Sequence, residues 1–124
     1  MMKSDSWFIE VFDGGKVGGL SFQVDEVLFQ GRSPYQNIEV VQNSFLGKVM
    51  LLDGLVMLTE KDEFYYHDML VHVPMACVED PENVLVVGGG DGGSVREMLK
   101  HPSVQDCKTS FVLDHVKATT AVPV

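Results

Sequence analysis

At 124 residues, 45% of them hydrophobic and with no apolar run near the roughly 20 residues a membrane span requires, the chain has the size and composition of one globular domain and no membrane partner. Nine Lys plus Arg against eighteen Asp plus Glu give a net charge of −9, which disfavours nucleic acid, a ligand that needs basic surface to displace its counterions, and is compatible with a cationic substrate. The polar start lacks the apolar core of a signal peptide, an expectation of the cytoplasm, and Cys77 and Cys107 are too few and too far apart for a metal cluster, an expectation of reduced, structural thiols.

Residues 7–12 are aromatic and β-branched, Asp13-Gly14-Gly15 signals a turn, and Leu20, Phe22 and Val24 then alternate with polar residues, which predicts a hairpin. The alternation changes phase between Val24 and Val27, with Phe29 continuing the new phase, so a bulge or bend is expected there. Strands follow at 37–41 and 48–52, and Asp53-Gly54 is a hairpin turn leading into a strand at 55–58. The first sixty residues therefore read as a small antiparallel β unit.

The order of elements then changes. Thr59-Glu60-Lys61-Asp62 has the form of a capping box, predicting a helix through Phe64, Tyr65, Met69 and Val73 that Pro74 kinks or stops. Met50, Met57, Met69 and Met98 read as core filler. After the loop Asp80-Pro81-Glu82, the run Val84-Leu85-Val86-Val87 looks like a parallel strand buried on both faces. It breaks into six residues holding five glycines, and helical spacing resumes through Val95, Met98 and Leu99.

Gly88, Gly90 and Gly93 stand in G-x-G-x-x-G order between strand and helix, where the first glycine permits the turn, the second lets backbone amides approach a ligand and the third lets helix and strand pack closely. That context points to a nucleoside site, the alternative being a plain connecting turn. Asp91 bears on the kind of ligand, because a carboxylate in this loop repels phosphate and suits a cation such as a sulfonium or an amine; its alternative role is N-cap of the next helix.

Three polar residues are candidates for one site: Gln36, His67 and Asp91. Gln36 offers an amide to a ligand, or is a surface strand residue. His67 and His72 are five apart on a helix and point to different faces, so they form no metal pair and no metal is expected. A lone histidine is otherwise a surface or core residue. Tyr65 and Tyr66 are expected to divide between packing and a site.

Taken in series, these segments resemble the polyamine aminopropyltransferases, the spermidine synthase family. The likeness runs through residues 27–37, 47–54, 58–66, 84–97 and 101–104 in collinear order. It implies an α/β fold: an N-terminal antiparallel β-hairpin domain, 1–58, followed at 59–124 by the incomplete start of a Rossmann-like, methyltransferase-type parallel sheet. It also implies transfer of an aminopropyl group from decarboxylated S-adenosylmethionine, the co-substrate, to putrescine or a similar polyamine, with no resident cofactor, in a homo-oligomer. By position, Gln36 with Gly88 and Gly90 resembles the nucleoside contacts, and Tyr66, His67 and Asp91 the polyamine contacts.

The likeness fades after Gln105. The family carries a ribose-binding carboxylate about twenty residues past the loop aspartate, where this chain has Phe111, leaving Asp114 as the nearest candidate. The family's general-base aspartate falls beyond Val124. The chain is therefore expected to be a truncated member, inactive or weakly active, with residues 84–87 exposed for want of cover. The rival expectations are an S-adenosylmethionine methyltransferase and a non-catalytic fragment that associates with another subunit.

Overall fold

Alternating apolar residues build the N-terminal part of the molecule. The computed structural model describes residues 6–110, and the chain divides into two compact units, Met1–Tyr65 and Tyr66–Val124. In the first, β1 (Ser6–Phe12) and β2 (Gly18–Val24) pair antiparallel with Phe8 opposite Phe22, their rings 5.0 Å apart. The strands β3 (Glu26–Arg32), β4 (Asn37–Asn43), β5 (Gly47–Leu52) and β6 (Leu55–Thr59) form a four-stranded antiparallel sheet in chain order.

Phe22 and Val24 of the hairpin share one core with Val41, Val49 and Leu51 of the larger sheet, each such side chain worth about 1.5–3 kcal/mol when removed from water. Asn43 fastens the two sheets from inside. Its Nδ2 donates to the Gln23 carbonyl at 2.8 Å, and its Oδ1 accepts from the Phe45 and Leu46 amides at 2.9 and 2.8 Å. A buried amide is tolerable only because both ends are satisfied.

The phase change after Val24 is not itself the bulge. Asp25 is where the chain passes from one sheet to the other, and the register shift falls between Val27 and Phe29, leaving Leu28 as the extra residue. A second shift lies between Met50 and Leu51, opposite Met57, which it turns to solvent rather than into the core. The Asp53-Gly54 turn is as expected, both residues having positive φ (50° and 77°), the signature of a type I′ hairpin.

The second unit begins within α1 (Glu63–Ala76). Thr59 Oγ1 donates to Asp62 Oδ1 at 2.6 Å just ahead of the helix, so the capping-box residues pair side chain to side chain and the helix starts at Glu63. Pro74 lies in the last turn. The buried stripe is His67, Val71 and Met75, four residues apart each time, whereas Phe64, Tyr65, Met69 and Val73 are exposed. Met69 is thus not core filler, because the side of the helix it occupies is not the side that is covered.

From there β7 (Asn83–Val87) passes through α2 (Gly93–Met98) to β8 (Asp106–Ser110), which lies parallel to β7. α2 packs on both strands. Only one face of β7 is covered: Val86 is buried while Leu85 and Val87 are 63% and 69% exposed, so the expected exposure of this run is confined to alternate residues. The buried residues of α2 are Gly93, Ser94 and Glu97, and Leu99, expected inside, is exposed. Among the described residues no helix is long and apolar enough to cross a membrane. Both cysteines are free thiols, with Cys77 Sγ donating to the Val73 carbonyl at 3.4 Å.

Candidate functional site

The glycine loop between β7 and α2 turns on left-handed backbone. Gly88, Gly89 and Gly92 have φ of 88°, 68° and 79°, values that L side chains rarely adopt, so the turn depends on Gly89 and Gly92 as well as on Gly88. Gly93 matters for another reason. A Cβ there would run into the His67 imidazole, so its absence is what lets the ring lie against the start of α2. Close packing at the third glycine of the motif is therefore with a histidine of α1.

Asp91 and His67 are brought together. Asp91 Oδ1 accepts from the Gly93 amide at 2.7 Å and lies 3.1 Å from His67 Nε2. The first contact is a turn bond two residues along the chain; the N-cap of α2 is Gly92, with no side-chain cap, so the expected alternative of Asp91 as N-cap is not what the structure has. The second joins the two residues singled out by their sequence context. His67 is 2% exposed and Asp91 is partly open to solvent, so one member of the pair is a fixed wall and the other faces outward. Both the bond to the Gly93 amide and the approach to His67 are made at Oδ1 of a carboxylate whose side chain is 26% exposed, so it can also be reached from solution. A carboxylate partly open to solvent beside a glycine loop is suited to an ammonium or another cation.

Tyr66 sits edge-on to the His67 ring at 5.2 Å and is itself exposed. Tyr65 is exposed as well and stacks obliquely on Phe64 at 4.0 Å, so the two tyrosines diverge as adjacent helical residues do, but neither is packed in a core. Gln36 belongs to the first unit. The four-residue β3–β4 loop holds its backbone, with Ser33 Oγ accepting from the Gln36 amide at 3.0 Å and the Ser33 amide donating to the Gln36 carbonyl at 2.9 Å. Its side-chain amide makes no hydrogen bond among the described residues. Asp114 lies outside the described residues.

One turn beyond Gly93, on the same side of α2, sits a group that residue-by-residue reading of the sequence passed over. Glu97 is 1% exposed, and its carboxylate is met by Lys100 Nζ, Arg96 Nε at 2.8 Å and His72 Nε2 at 3.2 Å. Hydrogen bonds from Lys100, and then from Arg96, hold its carboxyl down to about 2, against an ordinary value of 4.5. His72 is engaged at both nitrogens, its Nδ1 lying 2.8 Å from His101 Nε2. The signal was present in the sequence as Lys100 three residues after Glu97, with Arg96 beside it, but only the fold shows that Glu97 points inward. Asp68, His72 and Glu97 bring donor atoms within 4.8 Å of one another. Lys100 and Arg96 already occupy the glutamate oxygens, and their positive charge opposes a bound cation, so the cluster is an ion-pair network.

An antiparallel β unit leading into a glycine-loop βαβ unit is a methyltransferase-like arrangement, shared with solved spermidine synthases. The structure is similar to a spermidine synthase in complex with the transition state analogue AdoDATO and to the spermidine synthase of Thermotoga maritima, each with a TM-score of 0.81 and 45% identity, covering 88% of this chain and 37% of that one. Two family models match consecutively, the spermidine synthase tetramerisation domain over residues 6–60 and the spermine/spermidine synthase domain over residues 63–116.

The chain belongs to the spermidine synthase family of polyamine aminopropyltransferases, and matches the N-terminal part of its members. The polyamine aminopropyltransferase of Thermotoga maritima is 50% identical over 99 residues, 80% of this chain and 33% of the relative. That of Alkaliphilus metalliredigens is 55% identical over 86 residues, covering 69% and 30%, and spermidine synthase 1 of Datura stramonium is 46% identical over 99 residues, covering 80% and 32%. The chain thus spans about a third of the length of the curated relatives it matches.

Proposed function

We propose that this chain serves aminopropyl transfer from decarboxylated S-adenosylmethionine to putrescine or a similar amine, giving spermidine and methylthioadenosine. Gln36 and the loop glycines Gly88 and Gly90 contribute to the nucleoside side, with Asp114 assigned to the ribose hydroxyls. Tyr66, His67 and Asp91 contribute to the amine side. The reading is supported by the polyamine aminopropyltransferases and spermidine synthases among the relatives, by the analogue held in one solved relative, and above all by Asp91, whose carboxylate stands at the glycine loop partly open to solvent.

In the reaction a neutral amine attacks the methylene carbon next to the sulfonium in line. The new C–N bond forms as the C–S bond breaks, the bonding pair returns to sulfur as a neutral thioether, and the ammonium formed gives up a proton to water. Little covalent work falls to the protein, whose task is to align the two reactants. Asp91 discriminates at this point. The decarboxylated nucleoside presents only an ammonium at its tail, which the carboxylate attracts, whereas intact S-adenosylmethionine also presents a carboxylate, which it repels. No side chain of this chain is assigned as the general base, and no metal or other cofactor enters the scheme.

A homo-oligomer and a cytoplasmic setting belong to the same proposal. The outward face of β1 carries Trp7, Ile9 and Val11, each more than half exposed, within the segment that matches the tetramerisation model, and a second copy is the occupant that fits it. Calorimetry with decarboxylated S-adenosylmethionine, methylthioadenosine and S-adenosylmethionine tests the substrate. The decarboxylated compound should bind more tightly than S-adenosylmethionine; the reverse order favours a methyltransferase and overturns the reading.

A further inference from the structure

We propose that Glu97 is a positioning residue for the Asp91–His67 pair, acting through His72 to fix the far end of α2 while His67 fixes the near end. The inference deepens the function proposed above and rests on it for what the pair binds, but its geometry lies entirely within the second unit.

Gly93 and Glu97 are four residues apart and share one side of a six-residue helix about 9 Å long. At its start the His67 ring lies against Gly93, with Asp91 Oδ1 accepting from the Gly93 amide and lying 3.1 Å from His67 Nε2. Toward its end, Glu97 Oε2 meets His72 Nε2, and both histidines come from α1. One face of this short helix rests on β7 and β8, and the contacts to His67 and His72 at its two ends set its position relative to α1. The second contact is also well secured, since His72 is gripped on its other nitrogen by His101. One neutral assignment satisfies all of it: His101 Nε2–H donates to His72 Nδ1, and His72 Nε2–H donates to Glu97.

The groups facing His72 are Asp68 from α1, at 3.6 Å, Glu97 from α2, and His101 from the turn that follows α2. Arg96 and Lys100 complete the surroundings of Glu97. A carboxylate this deeply buried is costly unless compensated, and here each oxygen is met by at least one charged donor. What the arrangement secures is the position of the glycine loop relative to His67, and a displacement of about 1 Å there is enough to spoil a binding constellation.

The test is amide hydrogen exchange and imidazole NMR on the whole chain, native and Glu97→Gln, with His72→Gln as a second variant that breaks the same link from the other side. The Gly93 amide reports directly, because it is bonded to Asp91. In either variant it should exchange about tenfold faster and the His67 ring resonances should move, while Val86 in β7 and Val49 in the first unit keep their native rates. Unchanged Gly93 and His67 signals in both variants would overturn the proposal, and so would a Gly93 acceleration matched at Val86, since that is a general loss of stability. Failure of the native chain to bind the sulfonium nucleoside by calorimetry would overturn the proposed function alone, leaving the positioning role to be decided by the Gly93 and His67 signals.

Discussion

Replacing Gly93 with alanine sets two effects against each other in a way the structure can rank. In an exposed helix the change stabilises by about 1 kcal/mol, because alanine loses less backbone entropy. Here the new carbon would sit 2.6 Å from His67 Cδ2 and closer still to Cε1 and Nε2. Carbon atoms in contact prefer about 3.5–4.0 Å, so the ring must retreat by roughly 1 Å. His67 is 2% exposed, and overpacking at such a site costs about 1–3 kcal/mol. Net destabilisation of about 0–2 kcal/mol follows, together with a lengthening of the 3.1 Å contact to Asp91 toward about 4 Å. Urea unfolding measures the first and the NMR shift of the His67 ring the second. A Gly93→Ala chain that is more stable by about 1 kcal/mol, with His67 resonances unmoved, would show that the ring does not occupy this place.

Asp91→Asn keeps the shape of the loop and removes its charge, so binding of decarboxylated S-adenosylmethionine should weaken by about tenfold or more, as for loss of a charge-assisted hydrogen bond, with S-adenosylmethionine affected less; calorimetry decides, and equal losses would deny the discrimination assigned to Asp91. Acid should unfold the second unit through Glu97: its folded value of about 2 lies below the ordinary 4.5, so its contribution is complete above 4.5 and is lost as pH falls through that interval toward 2, and Glu97→Gln should flatten the melting temperature against pH there. Leu51→Ala, in the core of the first unit, should cost about 2–5 kcal/mol in urea. Trp7→Glu should lower the mass seen by light scattering if β1 is the self-association face, and an unchanged mass would place that face elsewhere.

Local chemistry made most of the β unit readable. Asp53-Gly54 demands positive φ and so fixes a hairpin, and the alternation of Phe22 and Val24 fixes which face of β2 is inside, although Leu20 on the same face is exposed near the strand's start. Position along a strand was harder, because a phase change has two causes. At Val24–Val27 it reflects a change of sheet, while the bulge is displaced to Leu28, and nothing in the spacing alone separates the two. The helices were the least legible. Apolar residues surround α1 on all sides, so periodicity names no single stripe, and the buried one is chosen by His67, a residue that scores as polar.

The same reasoning explains why half of the candidate site could be named in advance and half could not. Asp91 and His67 announce themselves, a charge where a phosphate loop should carry none and a histidine in an aromatic helix, and the fold brings them within 3.1 Å. Gly93 was legible as the close-packing glycine of the motif but its partner, an imidazole rather than a strand, was not, and Glu97, a glutamate between arginine and lysine, reads as a solvated helix face. Their meaning comes from a contact partner twenty-five residues or more away on α1: an imidazole against Gly93 and a second imidazole on Glu97. A loop aspartate can grip a cation only where something fixes the loop, and under the proposed reading that task falls partly to Glu97, the residue whose sequence context is blandest.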